Sequence, residues 1–442
     1  MSYRFRNFLF FVFFIVFVIL TTIFSLYASG YKISFYSIVK GQALIQKTGI
    51  LAVDSSPKGA NVFITRQSKG LFFDDEVNKN KKIRTPYKIK NLLPGEYMLT
   101  LSLDGYWPWQ QKFYINPGQS TYMEDVVLFK KDLPVSFFNS AFQNIKFNYG
   151  AQKIILESDK RLVDLKSGQE IYLGEGVDSL GFLDSKRALL NDSLIFDYFK
   201  NEYTNLSPSE GEKLIQPKIK GDNLFFIDNG LQKYNLYSER QEAIFSLDNI
   251  IDYDFYNGFY FLITKEKDKS SFQIYSYKNK DLIREIELPA SEKYQIINPG
   301  ISAFVYIYNE DFKNFYIINT SSKFNSYWSV VNNVKGFDFI DANNFIYFSD
   351  FEIYSFNSVL AEKFLLGRFE ESIKSLTWHP KNYVIYSTEK DIVILDLKYD
   401  KYFIKIVSLE SVSNIVLDKS NSVLYFSGIR EGQEGLFRLF VQ

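Results

Sequence analysis

From about residue 140 to the C-terminal residue one short pattern recurs: an apolar strand, a turn, a second apolar strand, another turn, then a third strand ending near Asn, Asp, Ser or Lys. The third strand is the easiest to follow. It begins at Arg161, Ser193, Gly230, Ser271, Asn314, Phe351, Asp391 and Gly435, in segments such as Ser193-Leu194-Ile195-Phe196-Asp197 and Asp391-Ile392-Val393-Ile394-Leu395. Eight starts between residues 161 and 435 give a mean spacing of about 39 residues. A strands-only repeat of that period predicts four-stranded sheets arranged as blades, a β-propeller of seven or eight blades. The eighth copy reaches Gln442 without a fourth strand. An unpaired edge invites association, so Leu133 to Ser140 is expected to lie in the final blade and complete it.

The other end of the chain has a different constraint. Phe8 to Ala28 is a run of 21 residues without a charged side chain, with Thr21, Thr22 and Ser25 its only polar side chains. As a helix it is about 31 Å long, the thickness of a bilayer's hydrocarbon core. A cleaved signal peptide would have a shorter apolar core ending in small residues, and Leu26-Tyr27-Ala28 is a poor cleavage site. A buried soluble helix would show a polar face, and none appears. The run therefore reads as an uncleaved single-pass anchor. Arg4 and Arg6 precede it and Lys32, Lys40 and Lys47 follow it, so the local charge rule is close to balanced.

Composition removes several classes of function. The chain's 51 basic and 51 acidic side chains give no net charge, which argues against a nucleic-acid partner. No cysteine is present, so there is no disulfide, thiolate metal site or cysteine nucleophile. A single histidine, His379, cannot make a paired-histidine metal site, and a serine–histidine triad is not read from it. No calcium loop and no phosphate-cradling glycine loop is present. Asp252 and Asp254 are the nearest carboxylate pair of note and read as a solvated strand start. The 44 Phe and 32 Tyr accompany abundant Ile, Lys and Asn, as an AT-rich coding sequence would give, and they suit half-buried strands. No catalytic, cofactor or metal residue is assigned.

Between these regions, residues 49–131 alternate as short strands separated by turns. Gly49 to Ser55 and Ala60 to Ile64 flank the turn Ser56-Pro57-Lys58-Gly59, in which Pro fixes φ and Gly is free to take positive φ. Tyr97, Leu99, Leu101 and Leu103 share one strand face. Further turns fall at Leu93-Pro94-Gly95-Glu96 and Asp104-Gly105. The expectation is a small β-sandwich. These residues resemble the PEGA domain. The motif stands as Pro57-Lys58-Gly59-Ala60, followed in family order by Thr85-Pro86, Pro94-Gly95 with Tyr97, Gly105-Tyr106 with Trp109, and Gly118-Gln119. Lys58 replaces the family's Glu, and the loop Arg66 to Arg84 is longer than the usual turn. The resemblance implies a prealbumin-like sandwich of bacterial and archaeal surface proteins and transfers no catalytic residue. Trp107-Pro108-Trp109 could stack on a sugar, with Trp107 the candidate, or Trp109 could cap the core beside a partly exposed Trp107.

The seventh repeat, Ser375-Leu376-Thr377-Trp378-His379-Pro380 into Tyr383 to Ser387, resembles a blade of TolB-like or tryptophan–aspartate-repeat propellers, with His379 a turn residue. The resulting plan is a cytoplasmic tail at 1–7, a transmembrane helix at 8–28, a linker at 29–48, the sandwich at 49–131 and the propeller at 135–442. The resemblance implies that the bulk lies outside the cytoplasm. The leading functional reading is a non-catalytic envelope protein binding a surface protein or a cell-wall or surface glycan. The runner-up is a propeller enzyme acting on glycans through Asp/Glu pairs. A transmembrane sensor is the weakest reading, because seven residues ahead of the run leave no output domain.

Overall fold

The N-terminal segment is a helix, Tyr3–Ala28. It has no polar side to bury, and from Phe8 onward its Phe, Val and Ile side chains all face outward. Its few polar groups are satisfied internally: the Thr21 and Thr22 hydroxyls donate to the carbonyls of Phe17 and Val18, at 2.7 and 2.8 Å. In length and composition the span Arg6–Ala28 fits a membrane anchor or a signal sequence. The structure is a computed structural model, and it describes all residues except 1–2, 34–44, 67–74, 77–81, 139–144, 149–152, 157–159, 166–168, 178–179, 185, 192, 207–213, 239, 400–401 and 419. After the helix, Tyr31–Ile33 pairs antiparallel with Ile45–Lys47, so part of the linker is a β-ribbon.

The chain divides into two units. The first comprises Met1–Asp132, Asp396–Ile404 and Val441–Gln442. It contains a sandwich of two sheets. In one, Gly49–Ser56 runs antiparallel to Tyr87–Leu92 and parallel to Ser120–Val127. In the other, Asp75–Glu76, Asn61–Arg66, Gly95–Ser102 and Trp109–Ile115 pair in that order. Strict alternation places Tyr97, Leu99 and Leu101 inside, as the sequence indicates, opposite Val62, Ile64 and Trp109. Each such side chain contributes about 1.5–3 kcal/mol on burial. Of the loop Arg66 to Arg84, the structure describes Asp75–Glu76 and residues 82–84; the remainder lies outside the described residues.

The second unit comprises Leu133–Leu395 and Lys405–Phe440. Among the described residues, the strands after the sandwich form eight four-stranded antiparallel meanders. They occupy residues 145–172, 180–205, 215–245, 250–289, 294–331, 336–368, 375–408 and 411–440 and are numbered here as blades one to eight. All eight third strands fall where the repeat places them. The last blade takes its fourth strand from the start of the unit: Val135–Phe138 pairs with Gln433–Phe440. This is the strand expected from Leu133 to Ser140, of which 139–140 lie outside the described residues. Among the described residues the fold is therefore one apolar helix, a small β-sandwich and a β-propeller of eight blades. First strands of neighbouring blades contact one another between blades one and two, four and five, six and seven, and seven and eight. In a meander, the turns joining strands one to two and three to four lie at one end, and the remaining turns at the other.

Candidate functional site

The motif residues of the sandwich hold its turns. Thr85 is buried, and its hydroxyl oxygen accepts from the amides of Gly59 and Ala60 at 3.1 and 3.0 Å. It also shares a 2.6 Å hydrogen bond with the Ser55 hydroxyl, while the Gly59 amide additionally donates to the Thr85 carbonyl. Gly59 has φ +92°, a conformation glycine adopts without strain, so the Pro57–Ala60 turn can close onto Thr85-Pro86. The Pro94 carbonyl, next to Gly95, accepts from Arg66 at 2.8 Å, and the Tyr97 hydroxyl donates to Leu93. Gly105 turns the chain with φ +80°, and Tyr106 bridges to Lys130. Trp109 is fully buried; its Nε1 donates to Asp396 at 2.9 Å, and Tyr399 meets its ring edge-on. Trp107 and Trp109 are thus not brought together as a platform. Trp107 is half-buried, with the Lys131 ammonium 4.9 Å from its ring.

In the second unit the carboxylates join blades. Asp252 is 1% exposed, which corrects the reading of a solvated strand start. Its oxygens accept from the Lys218 ammonium of blade three at 2.9 Å and from the Ile296 amide of blade five at 2.6 Å. Those partners lie 34 and 44 residues away, beyond any local sequence pattern. The same arrangement recurs. Asp338 accepts from the Trp378 amide at 2.7 Å and the Ser375 hydroxyl from the Ile415 amide at 3.2 Å, each across 40 residues. Burial raises the Asp254 and Asp338 carboxyls above their ordinary values. His379 is buried as well; burial, and secondarily the Lys381 charge, lowers its imidazole to about 4, and its Nδ1 accepts from the Lys381 amide. Among the described residues no cluster of His, Asp or Glu is arranged to hold a metal.

The feature missed in the sequence is at the turns between third and fourth strands. Asp197 clips the amides of Phe199 and Lys200, Asn235 those of Tyr237 and Ser238, Asn319 that of Ser321, and Asn357 that of Leu360. Each clip is a side-chain-capped turn, rigid for its size. The turns raise large side chains into solvent: Phe199 69% exposed, Tyr237 77%, Phe324 77% and Leu360 62%, with Tyr277 and Trp328 about half exposed. Meander topology puts them at one end of their blades. Trp328 also ties blade five to blade six through a bond from its Nε1 to the Ser358 carbonyl at 2.9 Å. The turns between second and third strands are largely polar, as in Glu266-Lys267-Asp268 and Glu431-Gly432. The signal was present: the Asn and Asp residues that end the third strands are the clip residues.

Comparison with known proteins agrees with the sandwich assignment. Residues 48–128 match the PEGA domain. No curated protein matches the chain. Among solved structures, the C-terminal WD40 domain of Sif2 is 10% identical, covering 70% of this chain and 99% of that one with a TM-score of 0.46. A chain of the mitotic checkpoint complex is also 10% identical, covering 70% of this chain and 91% of that one with a TM-score of 0.38.

Proposed function

We propose that this is a non-catalytic binding protein of the bacterial cell envelope, held by its N-terminal helix with residues 1–7 in the cytoplasm and the sandwich and the propeller outside. The partner is a surface protein or a cell-wall or surface glycan. The observation that carries the reading is the set of aromatic turns at one end of the blades. Exposed Phe, Tyr and Trp on clipped turns lose little conformational freedom on contact, and aromatic side chains dominate binding surfaces. The carboxylates support the same reading. Asp252 and Asp338 are occupied by main-chain donors from neighbouring blades, which suits fixing blades together more than proton transfer.

The test uses the full chain in detergent, mixed with washed envelope material and sedimented. The wild-type chain should be retained. The variant combining Phe199→Ser, Tyr237→Ser and Phe324→Ser should lose at least tenfold in retention with unchanged circular dichroism. Equal retention of the two would remove the turns from the binding surface.

A further inference from the structure

We propose that the seam where the last blade meets the first is a binding site for a small organic carboxylate with an apolar body. Strand register builds the site. In the last blade Tyr425 pairs with Arg438 and Val423 with Phe440, so these four side chains share one face of the sheet. Leu165, which follows the third strand of blade one, faces them, and its carbonyl accepts from the Tyr425 hydroxyl at 3.1 Å. A cleft of about 360 Å³ opens there, lined by Leu165, Val423, Tyr425, Phe440, Arg438, Asp418 and Ser420. That volume is within the range of small-molecule sites.

Arg438 gives the cleft its chemistry. Its guanidinium carbon lies 5.2 Å from the Phe137 ring centroid and 5.6 Å from that of Phe440, a pair of contacts that hold the planar group in place. Its Nε is buried and has no hydrogen-bond partner. Arg161, Arg187, Arg368 and Arg430 each pair with a carboxylate, whereas no described carboxylate pairs with Arg438. Arg284 also has unpartnered buried nitrogens, but its Nη1 donates to the carbonyls of Asn319 and Ser322. Asp418 does not fill the role within its own wall of the cleft. Its carboxylate accepts from the Ser422 and Val423 amides at 2.8 and 2.9 Å and from the Ser420 hydroxyl. A fixed fork of N–H donors beside Leu, Val, Tyr and Phe side chains matches a carboxylate carried on an apolar group.

The probe is 3-phenylpropanoate, titrated calorimetrically into the full chain in detergent, with neutral 3-phenylpropanamide as the matched control. The acid should bind at least tenfold more tightly than the amide. Arg438→Gln should abolish that preference, and Val423→Phe, which fills the cleft, should weaken the acid by a similar factor. Equal binding of acid and amide to the wild-type chain, or binding of neither, would overturn the proposal, and this comparison stands even where a variant does not fold. Undiminished acid binding by folded Arg438→Gln would overturn it as well.

Discussion

Thr85 shows how one hydroxyl can hold a turn that three short motif pieces only outline. It gathers Gly59, Ala60 and Ser55 around one oxygen. Thr85→Val keeps the shape and removes the acceptor, leaving the buried Ala60 amide short of a partner. A loss of about 1–3 kcal/mol in denaturant unfolding is expected, with faster hydrogen exchange at Gly59 and Ala60. His379 predicts a pH dependence. Its folded value of about 4 lies below the ordinary 6.5, so between those values the unfolded chain holds more protons. Stability from this group is fully present above pH 6.5, is lost as pH falls toward 4, and levels off below. Asp338, raised by burial, acts in the opposite sense, since its folded form takes up a proton more readily. The unfolding free energy of the wild-type chain should therefore fall more steeply from pH 7 to pH 4.5 than that of His379→Gln, by about 3 kcal/mol at most. Parallel profiles would contradict the assignment.

At the scale of elements, strand identity was legible because period-two alternation and turn residues are local properties. The eight third strands, the turn at Pro57–Gly59 and the inward face of Tyr97, Leu99 and Leu101 all follow from it. The roles of Asp252 and Asp338 were not legible, because their partners lie a repeat away in sequence and meet them only when blades stand side by side. Asp338→Ala should cost about 1–3 kcal/mol by stranding the Trp378 amide, while Asp338→Asn, which keeps an acceptor and has no charge to bury, should cost less. The ordering of the two unfolding midpoints is the check. The fourth strand of the last blade was legible for a different reason: a sheet ending one strand short has an edge to cover. Replacing Val135–Phe138 by Gly and Ser residues should uncover the Gln433–Phe440 edge. Light scattering should then show self-association, and limited proteolysis should cut first in blade eight.

For the whole molecule, the apolar helix and the repeat were plain in the sequence, while the clustering of aromatic turns needed the meander topology to bring distant loops to one end. If the helix is an anchor, carbonate washing should leave the chain in the membrane pellet, and protease added outside intact spheroplasts should remove the strands and spare the helix. The measurement closest to the central claim is retention of the full chain by envelope material divided into two portions, one stripped of protein and one stripped of glycan, with released sugars assayed alongside. The account predicts that one stripping abolishes retention, that the other preserves it, and that no sugar is released. Retention that survives both treatments, or sugar release in proportion to added protein, would contradict it.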